Sequence, residues 1–147
     1  MRFAYLSKNS NRSGFYILRH LLEESRFRPS AVILPASSSS PLDCPTSAKI
    51  EKERYQLEVQ RMGGEALRFE GSIPLLLEKH KTPLLRLESI KTQEAFEKIR
   101  ALQVDLMVLG GGWPQLIPQQ VIELPSLGII NTHPSLLPEF RGTDIHR

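Results

Sequence analysis

The sequence predicts an α/β domain built on a doubly wound, mainly parallel sheet. Three observations carry this reading. Five short apolar runs, Arg2–Leu6, Ala31–Leu34, Leu84–Leu87, Leu106–Leu109 and Leu127–Ile130, have the length of buried strands. Between them lie segments with apolar residues at helical spacing, such as Phe15, Leu18, Leu21 and Leu22, or Ala95, Phe96, Ile99 and Leu102. Strand and helix alternate along the chain, the pattern of parallel strands joined by crossover helices.

Composition narrows the class further. Hydrophobic residues make up 40% and charged residues 24%, near globular averages, which excludes a chain disordered throughout. A length of 147 residues fits one domain with an ordinary core. No apolar run approaches the ~20 residues that span a bilayer, and the apolar start is too short for a secretory signal. Cys44 alone makes no disulfide framework, so a cytoplasmic protein without a membrane partner is expected. It lies in a Pro/Ser-rich stretch and receives no catalytic role.

The net charge of +3 is unevenly spread. Residues 1–28 carry six basic side chains against Glu23 and Glu24. Arg12, Arg19 and Arg26 recur every seven positions, which on a helix lines one stripe. The stripe reads either as the solvated flank of an apolar face or as a surface for a phosphorylated partner such as RNA.

In chain order, Arg2–Leu6 is followed by a polar turn, Ser7–Gly14, that lacks the glycine spacing of a dinucleotide fingerprint. Its Ser and Asn side chains, Ser7 and Asn11 among them, can bond a polar substrate or form an ordinary Asx/Ser turn. After the second strand, Ala36–Ser47 holds four consecutive serines and two prolines, which break regular structure. Ser47 caps a predicted helix to Met62, ended by Gly63-Gly64, whose narrow apolar stripe places it on the outside. Ser72–His80 is a shorter helix with Leu75–Leu77 inward, and Thr82-Pro83 leads into the third strand. Thr92 caps the next helix. Beyond the fourth strand, Pro118–Leu124 makes a short helix with proline in its first turn. The stretch after Gly142 reads as the entrance of a further element, so the chain is expected to be the front part of a longer domain.

The last two strands deliver the polar loops. Leu106–Leu109 stops at Gly110-Gly111-Gly112, where a ligand could approach unobstructed by side chains. Leu127–Ile130 carries Asn131 and His133 out of the sheet, and alternate positions on an extended exit share one side. Ligands of open α/β sheets lie outside the carboxyl ends of strands. A neutral histidine can exchange a proton near neutral pH, and an asparagine amide can donate to a developing oxyanion. Together they suit acyl transfer through a tetrahedral intermediate. Two satisfied polar residues beside a strand are the plainer alternative.

Asn131-Thr132-His133-Pro134-Ser135-Leu136-Leu137-Pro138, followed by Arg141-Gly142, closely resembles the signature of formyltransferases that use 10-formyltetrahydrofolate. Upstream, Asp105–Val108, Gly110–Pro118, Leu124-Pro125 and Leu127-Gly128 are similar to that family's fourth-strand and folate-loop block. The resemblance runs from about Leu84 to Gly142. It implies that residues 1–147 are the N-terminal part of a single Rossmann-like formyltransferase catalytic domain. Asn131 would bind the formyl oxygen, and His133 would act as the acid that stabilises the tetrahedral intermediate. The loop carrying Gly112, Trp113, Gln115 and Leu116 would cradle the pterin, with Val121 in its apolar wall. The co-substrate would be 10-formyltetrahydrofolate, with no metal. Ser7, Asn11 and Arg141 would stand on the side of the substrate amine.

Members of that family carry a third catalytic residue, an aspartate well beyond the histidine. This chain ends fourteen positions past His133, and Asp144 is too close to match, so residues 1–147 alone are expected to be nearly inert. Arg141 before Gly142 resembles methionyl-tRNA formyltransferases, formyltetrahydrofolate dehydrogenases and sugar-nucleotide formyltransferases alike, and the basic N-terminal stripe leans towards a methionyl-tRNA-like substrate. Gly142-Thr143-Asp144 departs from the methionyl-tRNA pattern and leans towards a sugar-nucleotide or other amine. A non-enzymatic folate-binding relative is the third reading.

Overall fold

A computed structural model describes residues 1–9, 11–36 and 72–133. The predicted helix from Ser47 to Met62, Cys44, and the signature from Pro134 onwards, including Arg141, lie outside the described residues. The described elements run β1 (Phe3–Leu6), α1 (Arg12–Glu23), β2 (Ala31–Pro35), α2 (Ile73–Lys79), β3 (Leu84–Leu87), α3 (Gln93–Ala101), β4 (Leu106–Leu109), α4 (Gln119–Ile122) and β5 (Ile129–Asn131). The strands form one sheet in the order β3-β2-β1-β4-β5, and every pairing is parallel. The expected doubly wound sheet with β1 at its centre is what forms.

The period of two along the strands sorts the core into two layers. Tyr5, Val32 and Leu34 pack with Leu18 and Leu22 of α1 and with Ile73, Leu76 and Leu77 of α2. Ala4, Leu6, Ile33 and Met107 face the other way, onto Ala95 and Ile99 of α3 and Val121 of α4. Ile33 is wholly buried, so truncating it to alanine is expected to cost ~2–5 kcal/mol.

Local signals decide where the helices start. Asn11 caps α1, its side-chain oxygen accepting the Gly14 N–H at 2.6 Å. The polar turn therefore ends at Asn11, and Ser13 and Gly14 are helical. Thr92 caps α3 by accepting the Ala95 N–H at 3.1 Å, and Ser72 caps α2. Pro118 is the cap of a four-residue α4, shorter than the sequence suggested.

Three other expectations change. Leu75 is 65% exposed while Leu76 and Leu77 are buried, because successive helical residues are about 100° apart and three in a row cannot share one face. The arginine stripe does not form, since α1 stops at Glu23 and leaves Arg26 in the loop beyond it. Arg19 pairs with Glu23 at 2.7 Å, and Arg12 lies over the Tyr16 ring. The fifth strand starts two residues later than predicted. Gly128 adopts φ of +76° and closes a turn by donating to the Pro125 carbonyl, so the extended run begins at Ile129.

Candidate active site

The carboxyl ends of β1, β4 and β5 meet at one edge of the sheet. The point where strand order reverses, between β1 and β4, is where such folds usually open a ligand crevice. Here protein fills it. The Tyr5 hydroxyl donates to the Gly14 carbonyl at 2.8 Å and also approaches the Gly110 carbonyl at 3.2 Å. Burial pushes the Tyr5 phenol above its ordinary range, so it remains a neutral donor. Ser7 is fully buried, and its hydroxyl donates to the Gly111 carbonyl at 3.0 Å.

The glycines answer to these neighbours. A Cβ on Gly110 would stand 1.6 Å from the Tyr5 hydroxyl oxygen, and one on Gly112 would stand 2.7 Å from the Asn11 side chain. Gly111 and Gly112 also take φ of +102° and +71°, which favours glycine. The sequence suggests that the three glycines leave room for a ligand; the room a side chain would fill at Gly110 and Gly112 is taken by Tyr5 and Asn11. Ser7 therefore serves the loop rather than the solvent, and half-buried Asn11 serves the start of α1 and the loop together.

Past the glycines, the loop turns onto the α3 face of the sheet. Trp113 and Ile117 are half-buried against the cluster that contains Leu87, Ile90, Met107 and Val121. The Trp113 indole nitrogen is buried and has no hydrogen-bond partner among the described residues. The Gln115 carboxamide accepts the Ile90 N–H at 2.7 Å and donates to the Glu88 carbonyl at 3.1 Å. Leu116 is 82% exposed, whereas Val121 is wholly buried in the core cluster against which Trp113 and Ile117 pack.

The second loop begins beside the first. Asn131 pairs with Leu109 on the last rung between β4 and β5. Thr132 then donates both its backbone N–H and its hydroxyl to the Leu109 carbonyl, each at 3.0 Å. Ile129 and Leu109 pack on the α3 face, so alternation puts the solvent-exposed Asn131 on that face, the face of Trp113 and Ile117. His133, two residues on, is half-buried. Of the expectation that Gly110–Ile117 and Asn131–Ser135 lie side by side and line one cleft, the adjacency holds where the two segments leave β4 and β5, as far as Thr132; Pro134 and Ser135 lie outside the described residues.

Sequence reading named Gly112, Trp113, Gln115, Leu116, Asn131 and His133, and these sit on two adjacent loops. It missed Tyr5 and Thr132. A tyrosine inside an apolar strand was the available signal for the first, because a buried hydroxyl needs a partner. The second stood in plain view between two candidates. Among the described residues no group of three or more His, Cys, Asp or Glu is placed to hold a metal.

The formyl transferase family model matches residues 58–147. The methionyl-tRNA formyltransferase of Bacillus cytotoxicus is 46% identical over 65 residues, 44% of this chain and 20% of that protein. The methionyl-tRNA formyltransferase of Macrococcus caseolyticus is 48% identical over 61 residues, 41% of this chain and 19% of that protein. These matches span about a fifth of the relatives' length. Glycinamide ribonucleotide transformylase 1 from Symbiobacterium toebii superposes on 99% of this chain with a TM-score of 0.60 at 18% identity, covering 57% of that structure. Phosphoribosylglycinamide formyltransferase from Bacillus halodurans gives a TM-score of 0.62 at 16% identity, with 99% of this chain and 62% of that structure covered. These two share the fold. On the family match, which takes in more than half of its residues, the chain belongs to the formyl transferase family.

Proposed function

We propose that the protein carrying this chain transfers a formyl group from 10-formyltetrahydrofolate to an amine of the methionyl-tRNA class. One observation carries the reading: Asn131, at the end of β5, is held beside the loop that leaves β4, on the face of Trp113. That juxtaposition supports a reading in which Asn131 is the oxyanion donor and the loop after β4 holds the pterin. The amine nitrogen attacks the formyl carbon, and the carbonyl oxygen gains negative charge. The Asn131 amide donates to that oxygen, a contact that strengthens as charge develops. His133 supplies the proton chemistry of the intermediate. As the bond from the formyl carbon to the folate nitrogen breaks, that nitrogen takes up one proton and the amine loses one.

The methionyl-tRNA enzymes among the relatives support the substrate class. A second reading, an amino-sugar nucleotide, is favoured by Gly142-Thr143-Asp144. The deciding experiment offers 10-formyltetrahydrofolate with methionyl-tRNA and amino-sugar nucleotides to the full-length protein and to its Asn131→Ala and His133→Ala variants. Formyl-methionyl-tRNA should form, and each variant should slow turnover by about 10²–10³ with folate binding kept. Formylation of the sugar nucleotide alone would replace the tRNA reading. Folate binding without any turnover would favour the non-enzymatic relative.

A further inference from the structure

The geometry points to Gln115 as a positioning residue that fixes the co-substrate loop in its working shape. The inference rests on the folate reading of that loop. Gln115 belongs to the segment leaving β4, whereas both its partners follow β3. In the sheet β2 and β1 lie between those strands, so the latch joins points about three strand spacings apart, or roughly 14 Å. Both ends of the carboxamide are used. Its oxygen accepts the Ile90 N–H, and its nitrogen donates to the Glu88 carbonyl. Ile90 is fully buried, so without the glutamine its amide would be a buried donor lacking that partner.

The turn it grips is itself well built. Ser89 accepts the Lys91 N–H, Thr92 donates to the Ser89 carbonyl, and Thr92 caps α3. At its other end the loop is pinned by Ser7 at Gly111 and packed against Asn11 at Gly112. Trp113 lies between these two anchors. Releasing Gln115 would leave the glycine end fixed and let Trp113, Leu116 and Ile117 swing, and with them the proposed pterin surface.

The test uses the full-length protein with Gln115→Met, which keeps the side chain's length, and Gln115→Glu. Trp113 is the only tryptophan in residues 1–147, so its fluorescence reports on the loop. With any other tryptophan of the full-length protein replaced by phenylalanine, Gln115→Met should red-shift the emission and raise acrylamide quenching. It should also speed exchange of the Ile90 amide in the ligand-free protein. Loss of two hydrogen bonds should weaken tetrahydrofolate binding about tenfold, raising KM for the formyl donor more than it lowers kcat. Gln115→Glu keeps an acceptor for Ile90 but sets a carboxylate against the Glu88 carbonyl, so Ile90 protection should return without full folate affinity. Unchanged Trp113 emission and Ile90 exchange in Gln115→Met would overturn the latch, whatever the protein catalyses. A broken latch with undiminished tetrahydrofolate binding would overturn the positioning role. Failure of wild type to bind tetrahydrofolate would instead count against the proposed function.

Discussion

The Leu109 carbonyl accepts two hydrogen bonds from Thr132, one from its N–H and one from its hydroxyl, each at 3.0 Å. This single oxygen ties the exit of β5 to the point where the glycine loop departs. Thr132→Val keeps the shape and the N–H bond but deletes the hydroxyl. At an exposed position the loss of stability should be about 1 kcal/mol or less by urea unfolding, with an unchanged slope. Turnover should fall further than that loss explains, since Asn131 and His133 flank the anchored residue. Wild-type turnover in the variant would show that the hydroxyl does not hold them.

Gly110→Ala should be severely destabilising, by about 3 kcal/mol or more. The new methyl would meet the buried Tyr5 ring as well as its hydroxyl, with Cζ only 1.8 Å away. Adding Tyr5→Phe should therefore fail to rescue it. Soluble yield and urea midpoints of the single and double variants decide the matter; rescue by Tyr5→Phe would mean that the ring can yield.

Trp113→Phe removes an indole N–H that is buried without a partner among the described residues. The lost area and the relieved donor act in opposite directions. The ligand-free protein should keep its stability within ~1 kcal/mol, against the 3–5 kcal/mol typical of emptying a large aromatic site. A drop in Tm equivalent to more than 2 kcal/mol would reveal that the indole has an acceptor after all.

Glu23 joins the ends of α1 and α2, bonding Lys79 at 2.8 Å and Arg19 at 2.7 Å. Hydrogen bonds from Lys79 first, then Arg19, hold its carboxyl down to about 2, from an ordinary value of 4.5. A depressed carboxylate stabilises the folded state above its unfolded pKa and loses that contribution as pH falls. Stability should thus decline between about pH 4.5 and pH 2, and Glu23→Gln should flatten that part of the curve. These groups meet solvent, so 0.5 M salt should shrink the difference. Parallel pH profiles for wild type and variant would refute the assignment.

Among the described residues, the sequence alone determined the elements and their order. Apolar runs of four residues, helical spacing, and the cap at Thr92 are local instructions, written within a few residues of the structure they produce. It also placed the two candidate loops together, because parallel strands joined by crossover helices all end on one side, and the polar loops follow the neighbouring strands β4 and β5. What only the tertiary structure decided is which residue occupies which space. Ser7 and Gly111 are 104 residues apart, and they bond because β1 and β4 lie side by side in one register. The glycines that looked open to a ligand are occupied by Tyr5 and Asn11, Gln115 grips a turn three strands away, and Leu75 turns outward. Such partners depend on where distant segments come to rest, and the spacing of residues along a chain does not contain that distance.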